Sequence, residues 1–217
     1  MELGEAMFKI AGDTMHKTYL TADSHAGHDN ILHLCHRPFP NIESMEAELI
    51  ANHNEIVTDS DLVWNLGDVA YKCSPQHVVD YLSALKGQHA IILGNHDKPL
   101  RQAYRLGLLR DLWKSGKVEI IGGKELIEDP NLWPSYLTEI EGQSVFLSHC
   151  GTRTWPGAFR GTIHCYGHSH SKLPMLYKSM DVGVDMETET HKRFTPWSWS
   201  EIMAIMNTRN EPFSEED

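Results

Sequence analysis

Five short apolar runs in this chain each end in residues of the metal-ligand type, and this limits the folds open to it more than any other feature. Lys17-Thr18-Tyr19-Leu20-Thr21-Ala22 leads into Asp23-Ser24-His25, and Leu62-Val63-Trp64-Asn65-Leu66 into Gly67-Asp68. Ala90-Ile91-Ile92-Leu93 leads into Gly94-Asn95-His96-Asp97, and the run from Ser144 to Leu147 into Ser148-His149. Thr162-Ile163-His164-Cys165-Tyr166 leads into Gly167-His168-Ser169-His170. Runs of this length and composition read as buried strands. In layered α/β folds, sites gather beyond the carboxyl ends of the strands, so five separate ends can meet at one place.

The residue types define the chemistry. In an extended chain, residues i and i+2 point to one side, so Asp23 and His25 are expected to converge on one ion. Asn95 offers a neutral oxygen, His96 a proton-transfer group, and Asp97 an acceptor able to orient that histidine. Gly94 allows a close backbone approach, having no Cβ. Carboxylate, imidazole and one amide oxygen, with no thiolate, suit two divalent ions of the manganese, iron or zinc kind better than calcium or a structural zinc.

The 217 residues suit one domain, with 41% hydrophobic and 23% charged content typical of a globular protein. A formal charge of −11 argues against sequence-independent binding to duplex nucleic acid, while bound ions would still let a phosphate approach. The four cysteines, Cys35, Cys73, Cys150 and Cys165, form no Cys-x-x-Cys pair and suggest neither a zinc knuckle nor a disulfide framework. No apolar segment approaches the ~20 residues of a membrane helix, and Glu2 and Glu5 do not fit a signal peptide. These features set the expected location in the cytoplasm.

Between the strands, the pattern predicts a helix over 43–57 capped by Asn41 or Ser44, with Met45, Leu49 and Ile56 on one stripe. A second is capped by Ser74 with Pro75 at its first position, and a third runs from Pro99 to Leu109. Val118 to Ile121 is expected to be a strand, Gly122-Gly123 a turn and 124–128 another strand. Glu141-Gly142 suggests a hairpin turn, 182–184 a late strand, and Ser198 or Ser200 the start of a closing helix. Residues 1–15 form an N-terminal extension or an extra strand, 16–207 the domain, and 208–217 an acidic tail.

The motif order resembles that of the calcineurin-like metallophosphoesterase superfamily over roughly 17–205. Asp23-Ser24-His25-Ala26-Gly27-His28-Asp29-Asn30-Ile31, Arg37-Pro38-Phe39, Arg153-x-Trp155 and the segment from Asp181 to Asp185 are similar to its small bacterial and phage branch. The protein-phosphatase branch fits poorly, since Asp68 is followed by Val69-Ala70-Tyr71 and the tetrad closes with Asp97. The resemblance implies a four-layer α/β/β/α sandwich of two facing β-sheets flanked by helices. It implies one ion held by Asp23, His25, Asp68 and His170, and another by Asp68, Asn95, His149 and His168. Manganese is the first expectation, with iron, zinc, nickel or magnesium as alternatives. A water shared by two such ions ~3.5–4 Å apart becomes a nucleophile near neutral pH. His96 is expected to serve the leaving oxygen, oriented by Asp97, with His28, Arg37 and Arg153 on the substrate phosphate. The implied activity is hydrolysis of a small, nucleotide-like phosphodiester; a phosphomonoesterase, a nuclease or a non-catalytic binding scaffold are the alternatives.

Plainer readings apply elsewhere. His164 reads as a strand histidine beside the core, and Cys150 as a small buried thiol. Trp133 and Trp155 read as packing residues rather than base-stacking platforms.

Overall fold

The apolar runs do become strands, and their alternation builds two faces. In a computed structural model describing residues 16–129 and 131–211, β1 (Thr18–Thr21) is followed by α1 (Ile31–Leu34), α2 (Ile42–Ile56) and β2 (Leu62–Asn65). Then come α3 (Pro75–Ala84), β3 (Gln88–Ile91), α4 (Lys98–Arg105), α5 (Arg110–Lys114), β4 (Val118–Ile120) and α6 (Gly123–Glu128). The second half holds β5 (Ser135–Ile140), β6 (Gln143–Cys150), a 3-10 turn (Ala158–Arg160), β7 (Ile163–Gly167), β8 (Ser179–Asp181), β9 (Trp197–Ser198) and α7 (Trp199–Met206). The reading of residues 1–15, and all of the acidic tail beyond Glu211, lies outside the described residues.

One sheet has the order β4-β3-β2-β1-β9, parallel apart from β9; the other has β5-β6-β7-β8. Leu20, Trp64, Ala90 and Ile92 face Val145, Leu147, Ile163, Cys165 and Met180 across one shared core. Their strand neighbours point the other way: Ile91 and Leu93 pack on Val78 and Leu82 of α3 and Leu100 of α4. This is a layered α/β sandwich of two facing sheets. Its main helical layer covers the five-stranded sheet, while the loop 151–161 folds over the outer side of β7, where Trp155 packs 5.3 Å from the His164 ring. No helix among the described residues is long and apolar enough to cross a membrane.

Local signals explain the element ends. Asn41 caps α2 by accepting the Ser44 amide at 2.8 Å, and Ser74 caps α3 by accepting that of His77 at 3.1 Å. Ser198 and Glu201 form a reciprocal capping box at the start of α7. Glu141 and Gly142, at φ 49° and 82°, make the two-residue turn of the β5–β6 hairpin. Residues 124–128 are helical rather than extended: Gly122, at φ 98°, turns the chain and Ile127 anchors the short helix in the core. The helix expected over Pro99–Leu109 stops at Arg105, and α5 follows as a separate turn. Ile56 is 37% exposed; His53 takes the buried place at that end of α2.

Candidate metal centre

Backbone pairing beyond the strands brings the first two motifs together. The Asp23 amide donates to Gly67 O at 2.9 Å, His25 to Asp68 O at 2.9 Å, and Ala26 to Val69 O at 3.0 Å. Asp23 and His25 therefore converge, but not through strand alternation. β1 ends at Thr21, and both residues adopt left-handed backbone, at φ 60° and 54°. Asp68, His168 and His170 do the same, at φ 53°, 69° and 48°. A side chain at such a φ costs roughly 1–3 kcal/mol, so five among the seven expected ligands indicate loops held in place by the sandwich beneath. His149 sits where the β6–β7 register shifts between Leu147 and Cys150, an irregularity of the ladder of the kind that re-aims side chains.

Glycine permits the closest approaches. A Cβ on Gly94 would overlap Asp68 Oδ1 and lie 2.8 Å from His149 Cε1; one on Gly167 would lie 2.8 Å from Asp23 Oδ2.

Asp68 occupies the middle. Its Oδ2 lies 3.5 Å from His25 Nε2 and 3.4 Å from His149 Nε2, while Oδ1 accepts the His96 amide at 2.8 Å. The His149 Nδ1–H donates to Leu66 O at 2.7 Å, so Nε2 is the atom turned inward, 2.9 Å from Asn95 Oδ1. His168 Nδ1 lies 3.0 Å from the same oxygen. Asp23 Oδ2 accepts the His168 amide at 2.8 Å, but among the described residues Asp23 Oδ1 and both ring nitrogens of His25 are buried without a hydrogen-bond partner. Ligand atoms of Asp23, His25 and His170, and those of Asp23, Asp68 and His149, lie within 4.8 Å of one another. Acceptors converging with few donors make a donor set that fits cations.

The electrostatics agree. Burial, with the nearby Asp181 and Asp68 charges, pushes Asp23 up to about 7 against the lowering effect of His149 and His170. Burial would also raise Asp68, but hydrogen bonding and charge from His149, with His25, hold it at about 2. Burial would lower His149, yet the Asp68 and Asp23 carboxylates bring it to about 9. His25, shielded from water, falls well below its ordinary value.

An outer ring orients these groups. Asp185 Oδ2 accepts His170 Nδ1–H at 2.7 Å, leaving Nε2 for a ligand's role. Arg37 binds Asp185 through Nε at 3.0 Å and Nη2 at 2.8 Å, and also donates to Ser24 O at 2.9 Å and Asp23 O at 2.7 Å. The expected phosphate contact of Arg37 is therefore corrected: its guanidinium is buried and its donors are spent on the frame. Asp97 does not orient His96 as expected. Its Oδ2 accepts the Gly94 and Asp68 amides at 2.8 and 2.9 Å and its Oδ1 that of Val69 at 2.8 Å, joining two site loops. The His96 ring instead packs on Tyr71, with centroids 4.2 Å apart, and 5.4 Å from that of His25. His28 lines the same side, 4.7 Å from Tyr71 and 5.4 Å from His25. Arg153 is exposed on the loop after β6, and among the described residues no hydrogen bond or ion pair draws it to the cluster.

Tyr71 was not singled out from sequence, although it stands three residues after a ligand-type aspartate. Asp185 was seen only as part of a motif. Trp133 was read as packing, but it is 51% exposed with its ring centroid 6.3 Å from that of His168. Cys150 is half-buried with its Sγ near His149 and His168; burial, then Asp68 and Asp23, push its thiol up to about 11.

No family model matches the chain. An uncharacterized protein of Methanocaldococcus jannaschii is 43% identical over 86 residues, 39% of this chain and 49% of that protein. The gene 66 protein of Mycobacterium phage L5 is 31% identical over 87 residues, 39% of this chain and 42% of its own length. The chain thus spans less than half the length of these curated relatives. A solved structure of a protein of unknown function from Aquifex aeolicus covers 88% of this chain, and 99% of itself, at a TM-score of 0.59 and 18% identity, a likeness of fold.

Proposed function

We propose that the chain is a binuclear metal-dependent phosphoesterase of the calcineurin-like kind, acting on a small phosphodiester. The observation that carries this reading is the position of Asp68 Oδ2, 3.5 Å from His25 Nε2 and 3.4 Å from His149 Nε2. A carboxylate oxygen between two inward-facing imidazoles is suited to bridging two ions. Asp23, His25, Asp68 and His170 would hold one, and Asp68, Asn95, His149 and His168 the other, manganese being the first choice. Such ions supply a reactive water and neutralise charge on the phosphoryl oxygens.

The chain's own residues do the rest. His96, which packs against Tyr71 at the edge of the cluster, would give a proton to the departing ester oxygen. His28 lies beside it and would contact a phosphate oxygen. The formal charge of −11 favours a small ester over duplex nucleic acid. The four unpaired cysteines suit the reducing cytoplasm.

The test is hydrolysis of bis- and mono-nitrophenyl phosphate by metal-stripped protein reloaded with manganese, with bound metal measured on the same sample. Faster cleavage of the diester with two metals per chain is expected. A monoester preference would redirect the reading to a phosphatase, and two bound metals without turnover of either would leave a binding scaffold.

A further inference from the structure

Trp133 is a large apolar side chain left half in water beside the centre, and described residues on either side of it are tied down. Arg101, buried in α4, donates to the carbonyls of Leu126, Ile127 at 3.2 Å, Asp129 at 3.0 Å and Leu132 at 3.2 Å. One guanidinium therefore closes the end of α6 and fixes the approach to Trp133. Pro134, buried on the far side, fixes the exit. Burying the indole would have been the cheap solution for a packing residue; instead it is held at 51% exposure, 6.3 Å from the His168 ring.

The placement is also asymmetric. His96 stands against His25 and Tyr71, whereas Trp133 stands against His168, the ligand that shares Asn95 with His149. A diester leaving towards His96 would keep its other substituent on the Trp133 side. We infer that Trp133 is a stacking platform for a planar group, a nucleobase, on the part of the substrate that stays on phosphorus. This rests on the proposed phosphodiesterase reading and deepens it. In the reaction, water oxygen bonds to phosphorus, the bond to the leaving oxygen breaks with a proton returned to that oxygen, and a nucleoside monophosphate remains. Aromatic stacking is sequence-tolerant, so the platform selects for a base rather than for one base.

The test compares thymidine 5′-(4-nitrophenyl phosphate) with methyl 4-nitrophenyl phosphate, which share a leaving group and differ in the retained one. With manganese-reloaded protein, the kcat/KM ratio of the first over the second is expected to fall about 5- to 100-fold in Trp133→Ala, chiefly through KM. Trp133→Phe should recover much of it. Trp113→Ala, which removes an exposed tryptophan on α5, serves as the control and should leave the ratio in place. Calorimetric binding of thymidine monophosphate against methyl phosphate gives a readout apart from turnover, and the wild type should favour the nucleotide. An unchanged ratio in Trp133→Ala with both esters cleaved would overturn the platform and leave the phosphodiesterase reading standing. Equal binding of the two phosphates would overturn the platform as well. Two bound metals with neither ester cleaved would sink the reading itself, and preferential nucleotide binding lost in Trp133→Ala would still support the platform.

Discussion

Asp97 accepts the backbone amide of Asp68 at 2.9 Å from a carboxylate sealed away from water. Burial first, then the nearby Asp68 charge, raise Asp97 to about 6 against its amide donors, so the group is fixed in place at some electrostatic cost. Replacing it leaves buried amides without an acceptor, at about 1–3 kcal/mol each. Asp97→Ala should lose about 2–5 kcal/mol of stability in urea unfolding. Asp97→Asn should lose less. A wild-type midpoint in Asp97→Ala would remove the joining role.

Asp68→Asn removes the charge between His25 and His149. Metal content after reloading should drop by at least one ion per chain, and diester turnover by more than about 100-fold. Elemental analysis of the purified variant reads the first effect directly.

His96→Ala is expected to keep the metals and to slow turnover by about 100- to 10,000-fold for esters with poor leaving groups. The deficit should shrink for nitrophenyl esters, whose oxygen needs no proton. A uniform deficit across leaving groups would take the acid role from His96.

Asp185 fixes His170 and is itself fixed by Arg37. Metal affinity in Asp185→Asn should weaken about 10- to 100-fold, as judged by competition with a chelator. Arg37→Met leaves Asp185 short of its buried partner and should cost about 3–5 kcal/mol of stability.

His164 supplies a pH dependence away from the proposed metal ligands. Burial lowers it to about 3, and its Nε2 meets Ser148 Oγ at 2.9 Å. The unfolded chain binds a proton near the ordinary value of 6.5 while the folded chain does not. This contribution is present above pH 6.5 and is lost as pH falls towards 3, with a slope of at most about 1.4 kcal/mol per pH unit. The wild type should therefore lose stability faster than His164→Gln between pH 7 and pH 5. Parallel profiles in denaturant titrations would refute it.

The strands and most caps were legible because periodicity and capping are local. Ser74-Pro75, Asn41 and Glu141-Gly142 each announce their structure within a few residues. The helix over 123–128 was not, because its one anchoring residue, Ile127, gains its reason from a distant core. The convergence of Asp23 and His25 was foreseen for the wrong cause, since left-handed backbone is imposed by packing and not by residue type. The roles of Arg37 and Asp97 were out of reach for a related reason. An arginine or aspartate beside a ligand motif looks free to act, and only the paired chain reveals that its bonds are already taken.

Among the described residues the two sheets meet where Ala22 bridges Gly183 and the Val184 amide donates to Ala22 O at 3.0 Å. That seam lies next to Asp23 and near Asp185, so it closes the cluster with residues more than 150 positions apart. A ribosome would have to deliver the chain beyond residue 185 before His170 could be held in register with Asp23. Metal retention would then report completed folding of the whole sandwich, and a chain ending short of residue 185 would lack the seam that closes the centre.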